Sequence, residues 1–309
     1  MPDLSAFLSK LELPQEDSSA AESQKRFPDG AQYRVEIPSV EGPKALAAVL
    51  DEAKKRKLKL HRVSQGSGIM LLSDTEIKEM AQMGADNGME VSLFVGPRAA
   101  WDTGAQITAS AGKNLGARLR GINQVRYATE DIFRAVELGI RSVLIADEGQ
   151  LWLVNELKKA GELPSDLVLK ISVQMGASNP ISVKLMEEMG AGTYNVPTDL
   201  SVAQLAAIRQ VVNLPIDMYV EVPDDFGGFV RYYELAELIK AVSPIYVKLG
   251  LRNSPNIYPS GYHIEDMAVK LCRERVRRAQ IALDMIARTC PEATMSEPGA
   301  KDLGIPVIA

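Results

Sequence analysis

The sequence predicts an α/β protein, a (β/α)8 TIM barrel, on three observations. Eight short β-rich runs recur along it, with apolar cores RVEI, KLHRV, EVSLFV, SVLIA, VLKISV, GTYNV, IDMYVEV and IYVKL. Each is followed by a stretch with helical spacing, and strands that alternate with helical patterns argue for βαβ units and a parallel sheet. The length of 309 residues suits one barrel of about 250 residues plus decoration better than two domains. In such barrels the site lies at the carboxyl ends of the strands, so the residues that close each run are the first to weigh.

The expected division is an N-terminal extension or arm (1–30), the barrel (31–290) and a C-terminal tail (291–309). In the extension, Leu4, Phe7, Leu8 and Leu11 fall at i, i+3, i+4 and i+7, which makes a short amphipathic helix. That helix either plugs the barrel or packs on another subunit, so a homo-oligomer is one expectation. Strand one, Tyr33 to Ile37, stops at Pro38, and Gly42-Pro43 opens a helix to about Lys57. Strand two runs from Leu58 to Val63. Ser73, with Glu76 three residues on, has the form of a capping box. Strand three covers Glu90 to Val95.

From Gly96 to about Tyr127 no clean period is found, while glycines and cations accumulate: Arg98, Lys113, Arg118, Arg120 and Arg126, beside Trp101 and Asp102. A long loop after the third strand reads as a lid for an anionic substrate, or as an insertion whose arginines pair with the acidic body. The second half is more regular. Helix Thr129–Leu138 precedes strand four (Ile140–Ala146), and helix Gly149–Ala160 precedes strand five (Leu167–Val173). Asn179-Pro180 opens the next helix before strand six (Thr193–Val196). Helix Ser201–Val212, strand seven (Ile216–Val222), helix Phe226–Val242, strand eight (Ile245–Leu249) and a long helix Ile264–Thr289 complete the reading.

The composition is 46% hydrophobic and 24% charged, ordinary for a globular protein. A net charge of -5 and a pI near 5.3 lack the basic footprint of a nucleic-acid partner. The N-terminus shows neither a basic n-region nor an apolar h-region, and no window approaches the ~18 apolar residues of a membrane span. A cytoplasmic protein with no membrane partner is expected. Two cysteines, Cys272 and Cys290, cannot by themselves complete a four-ligand zinc or iron–sulfur site.

Alternation along the strands sorts polar residues by face. It turns Glu36 and Arg34 inward on strand one, and Lys170, Ser172 and Gln174 inward on strand five. It does the same for Asp217, Tyr219 and Glu221 on strand seven, and for Tyr246 and Lys248 on strand eight. A barrel interior is normally filled with branched apolar side chains, and ionised groups are rarely buried unless paired. The expected pair is Glu221 with Lys248, with Glu36 as a third member across the barrel seam. These three are the candidate catalytic residues, as an acid/base set or as a lysine for carbonyl chemistry. The alternative is a purely structural ion-pair layer.

Arg62, Arg98 and Arg252 suit a carboxylate or phosphate, which arginine grips bidentately. With Asp147, Gln174 and Asn195 they make the candidate substrate-binding set. A divalent metal could use Glu36, Asp147, Glu148 and Glu221 as oxygen ligands, although no HxxE or HxH spacing supports one and no cofactor is otherwise implied. His61 and His263 are weak candidates for a general base. SAGKN at 110–114 lacks the first glycine and the Ser/Thr of a phosphate-binding loop. RERVRR at 273–278 reads as a solvated helix face.

EDIFRAVELGIRSVLIADEGQLWLVNEL and KISVQMGASNPISVKLMEEMGAGTYNVPTDLSVAQLAAIRQ together resemble the collagenase-like peptidases, a family of unassigned catalytic mechanism. The matching positions are Asp147, Gln174, Asn179, and Leu200-Ser201 with Leu205. The resemblance implies a TIM-type barrel with a site that uses Asp147, Gln174 and Glu221. After strand seven the family carries a cysteine-bearing signature, whereas this chain reads YVEVPDDFGGFVRYYE. A cysteine-bound cluster at that place is therefore not expected.

The leading expectation is an enzyme that acts on a small, carboxylate-bearing substrate at the C-terminal face, either a peptidase-family-like hydrolase or a lyase. The alternatives are a divalent-metal-dependent lyase or isomerase, and a non-catalytic metabolite-binding or assembly barrel.

Overall fold

Strands Tyr33–Pro38 (β1), Arg62–Ser64 (β2), Glu90–Phe94 (β3), Ser142–Ile145 (β4), Val168–Ile171 (β5), Thr193–Asn195 (β6), Ile216–Glu221 (β7) and Ile245–Leu249 (β8) pair in parallel with their chain neighbours. β8 returns to β1 and closes the barrel. The structure, a computed structural model, describes residues 4–18, 22–98, 106, 109, 112 and 115–308. Trp101, Asp102 and Lys113, expected in the loop after the third strand, lie outside the described residues.

The strands alternate as a half-polar barrel requires. Val35, Ile37, Val63, Val91, Leu93, Val143, Ile145, Leu169 and Ile171 are buried in one apolar shell between sheet and helices, as are their counterparts on β6 to β8. The other face of each strand points into the barrel and is largely polar. Arg34, Glu36, Arg62, Glu90, Lys170, Asp217 and Lys248 are all buried. The interior is therefore held by ion pairs rather than by branched apolar layers.

The helices are Leu4–Lys10 (α1), Pro43–Arg56 (α2), Asp74–Asp86 (α3), Gly121–Glu137 (α4), Glu148–Lys159 (α5), Pro180–Glu188 (α6), Val202–Val211 (α7), Leu235–Val242 (α8) and Glu265–Thr289 (α9). Among the described residues none is long and apolar enough to cross a membrane. Ser73 accepts from the Glu76 amide while the Glu76 side chain returns to the Ser73 amide, and Ser201 with Gln204 repeats this before α7. Each such cap contributes about 1 kcal/mol.

Strand two starts at Arg62 rather than Leu58, and two helices also differ from the sequence reading. α4 begins at Gly121 rather than Thr129, because its first turns expose Ile122 and Tyr127 and bury a glutamine, Gln124, and so show no apolar period. The helix expected over Phe226–Val242 is only α8, preceded by two 3-10 turns. Gly227 and Gly228 take positive φ there, and Glu221 and Val230 form an antiparallel bridge.

The base of the barrel is closed by Phe27, Ala31, Tyr246 and Leu303. The tail pairs at Met295 with Tyr33, and Asp302 grips Arg34 through both carboxylate oxygens, at 2.7 and 2.9 Å. α1 buries none of its residues.

Candidate active site

Above the ion-pair layer, at the carboxyl ends of the strands, lies a cavity of about 340 Å³. Its lining includes Ser64, Phe94, Leu144, Ser172, Asn195, Tyr219 and Lys248 from or beside the strands. Loops and α9 add Ser39, Gln65, Arg98, Ala117, Gln174, Tyr258 and Arg275.

The floor is built from the charged core upward. Glu36 is fully buried. One of its oxygens accepts from Ser64 at 2.7 Å and faces Lys248 Nζ at 3.2 Å. The other accepts from Lys170 Nζ at 2.6 Å and lies 3.2 Å from Arg62. Burial alone would raise the Glu36 pKa. The facing Lys170, Lys248 and Arg62 outweigh it and hold the carboxyl well below the usual carboxylate range. Lys170 and Arg62 also pair with Asp217, and Arg62 reaches Glu90 at 2.8 Å. Arg62 stacks on Tyr246, its guanidinium carbon 3.6 Å from the ring centre.

Lys248 carries this network into the cavity. Its ammonium sits 4.4 Å from the centre of the Tyr219 ring. With the Asn195 amide oriented to satisfy both ends, its oxygen accepts from Lys248 at 3.1 Å while its NH2 donates to the Asp217 carbonyl. Lys248 is thus a cation held from below and beside, with its remaining face toward the cavity.

The expected site residues divide accordingly. Lys248, Asn195, Gln174 and Arg98 line the cavity, and Glu36 lies directly beneath it. Arg62 is buried deeper and occupied by Glu90, Asp217 and Glu36, so it does not reach a substrate. Asp147 caps α5 by accepting from the Gln150 amide, and its other oxygen accepts from the Leu119 amide. Arg252 is exposed in a surface cleft with Glu274 and Arg278, outside the cavity.

The expected Glu221–Lys248 pair does not form. Between β7 and β8 the register slips: Tyr219 stands opposite Lys248 and Glu221 opposite Leu249, so two steps on one strand meet one on the other. This bulge turns Glu221 to the outer side, where it accepts from Tyr232 at 2.6 Å and from the Arg252 amide at 3.1 Å. Lys248 pairs with Glu36 instead. The oxygen set proposed for a divalent metal is dispersed for related reasons. Glu36 is saturated by cations, Asp147 caps a helix, Glu148 pairs with Arg118 and Glu221 faces Tyr232. Among the described residues no group of three His, Cys, Asp or Glu side chains converges on a metal position.

Cations in the lid reading find partners in the chain: Arg118 with Glu148, and Arg126 with Glu130 at 3.8 Å. Tyr258 and Arg275 were missed by sequence reasoning. Arg275 belongs to the RERVRR face expected to be solvated, yet it is 3% exposed and donates to the Ser39 carbonyl. A signal existed, since Cys272, Arg275 and Ala279 follow the buried spacing of α9.

A closed (β/α)8 barrel with a cavity at the carboxyl ends of its strands is the class that fold and site define. Residues 119–222, about a third of the chain, match the model of Peptidase family U32. The matched segment carries Asp147, Gln174, Asn195 and Tyr219, and ends before Lys248. The family match and the fold support a barrel enzyme in the broad sense. A comparison with curated proteins gave no match.

Similar solved structures include the U32 peptidase Mk0906, at 14% identity and TM-score 0.43, over 77% of this chain and 97% of that one. A prophage protein of the dihydrodipicolinic acid synthase family from E. coli K12, in complex with pyruvate, shows 13% identity and TM-score 0.44, over 82% and 83%. DAHP synthase from Thermotoga maritima shows 13% identity and TM-score 0.47, over 86% and 72%. At such identities no chemistry transfers to this chain.

Proposed function

We propose that the protein is an enzyme acting on a small, carboxylate-bearing substrate at the carboxyl mouth of the barrel, as a hydrolase or a lyase. The observation that carries this reading is Lys248. Its ammonium is fixed by Glu36, Asn195 and the Tyr219 ring at the floor of the mouth cavity. A cation held this way meets an anionic or carbonyl oxygen without reorganising, which is the source of electrostatic assistance in enzyme sites. Gln174 and Asn195 add polar groups to the cavity lining, and Arg98 lines it with its guanidinium turned to the Gly66 and Ser67 carbonyls. Glu36 acts through Lys248 as a positioning residue.

Cavity size favours a small molecule over a polypeptide, since pockets of about 300–1,000 Å³ suit drug-sized ligands. The dispersed carboxylates give no support to a divalent-metal lyase. A binding barrel without turnover remains the rival from another class. It has less use for an ammonium held against a fully buried carboxylate.

The test is a melting-temperature screen of small carboxylic acids and phosphate esters against wild type and Lys248→Met, followed by turnover assays on any acid that binds. Upward shifts with carboxylates in wild type, absent in the variant, are expected. No response to any acid would sink the reading, and binding without turnover would favour the non-catalytic barrel.

A further inference from the structure

The cavity has two unlike poles. In a barrel closed in chain order, β4 lies across from β8 and β3 across from β7. Lys248 on β8 and Tyr219 on β7 therefore face Leu144 on β4 and Phe94 on β3 across the mouth. Phe94, Leu144, Ala117 and Ala146 form an apolar cluster of their own, separate from the shell between sheet and helices. Three of them, Phe94, Leu144 and Ala117, line the cavity, and Val173 extends this side.

An inward-facing leucine and phenylalanine are out of keeping with the polar layer below, where β3 and β4 present Glu90, Ser92 and Ser142. Arg98 shares this side of the cavity. Its guanidinium, however, lies 4.0 Å from the centre of the Phe94 ring and donates to the Gly66 and Ser67 carbonyls at 3.0 Å each. Its fork is turned to backbone rather than offered as a second anion clamp.

We infer that the mouth cavity takes a monocarboxylic acid with a short apolar tail, its carboxylate on Lys248 and its tail against Phe94, Leu144 and Ala117. This rests on the anion-pocket reading above and narrows its substrate class. The head gains from a preset cation. The tail gains by leaving water for a wall that offers it no hydrogen bonds.

Isothermal titration with acetate, butyrate, hexanoate and glutarate tests the inference. Affinity should rise about threefold to fourfold per methylene from acetate to hexanoate, and glutarate should bind more weakly than hexanoate. Leu144→Asn should weaken hexanoate at least about tenfold, in proportion to the apolar contact removed, while acetate stays nearly unchanged. Should that variant fail to fold, the isosteric Val173→Thr, at a half-buried position, should selectively weaken hexanoate. Chain-length-independent binding that still needs Lys248, or glutarate binding tighter than hexanoate, would overturn the apolar-tail assignment and leave the anion pocket standing. If none of the four acids binds, both fall.

Discussion

Glu36 and Lys248 are register partners on the adjacent strands β1 and β8, and Glu36 Oε1 stands 3.2 Å from Lys248 Nζ. The ammonium that faces the cavity is thus tied to the carboxylate that also binds Lys170 and Arg62. Breaking such a buried cluster by removing one partner is costly, because the charges left behind keep their desolvation penalty. Glu36→Gln should destabilise the fold by about 3–5 kcal/mol, read by urea denaturation. A loss below about 1 kcal/mol, typical of an exposed ion pair, would show that water reaches the cluster.

His61 predicts a pH dependence with a definite sign. Its Nδ1 takes the Val35 amide hydrogen at 3.0 Å, and its Nε2 lies 2.8 Å from the Ser296 carbonyl, an arrangement that needs the neutral ring. Burial pushes its pKa down to about 4 from an ordinary 6.5. Between those values the unfolded chain binds more protons than the folded one, so stability falls as pH drops from 6.5 toward 4. At about 1.4 kcal/mol per pKa unit the loss is on the order of 3 kcal/mol. Denaturation at stepped pH should show this slope in wild type, and His61→Gln should lose it.

Asp302 is the counterion for Arg34, which is 1% exposed. Hydrogen bonds to charged groups contribute about 1.5–3 kcal/mol, and Asp29, 3.7 Å from Arg34, can recover only part of that. Asp302→Ala should therefore cost about 1–3 kcal/mol without altering ligand binding at the opposite end of the barrel. Thermal melts with and without hexanoate separate the two effects.

The dispersal of Glu36, Asp147, Glu148 and Glu221 predicts that a chelator leaves the melting temperature unchanged. A fall on treatment with EDTA, restored by a divalent cation, would require a ligand set different from these four.

The barrel itself was readable because period-2 runs and helical runs alternate everywhere except the stretch after strand three, and strand eight was placed to the residue. The inward turn of Glu36, Lys170, Asp217 and Lys248 followed from the same alternation. Glu221 was misplaced because alternation assumes an unbroken register, and the slip after Tyr219 leaves no local mark in YVEV. Arg62 looked like an anion ligand because a side chain's depth along the barrel depends on strand stagger, which one sequence does not display. Tyr258 and Arg275 reach the cavity by tertiary packing of the segment after β8, beyond the range of any local pattern.

One architectural fact bears on how the chain is born. Arg34 on β1 donates to Asp302, and Glu90 on β3, besides its pairing with Arg62, accepts from the Gly304 amide at 3.2 Å, so two early strands complete their polar contacts with residues made more than two hundred positions later. An amino-terminal half emerging from the ribosome would lack these tail contacts, and its Glu36 would lack Lys170 and Lys248. Lacking also the closing seam to β8, it has poor grounds for settling into a native-like half-barrel of its own. This chain is an unpromising subject for splitting into complementing fragments.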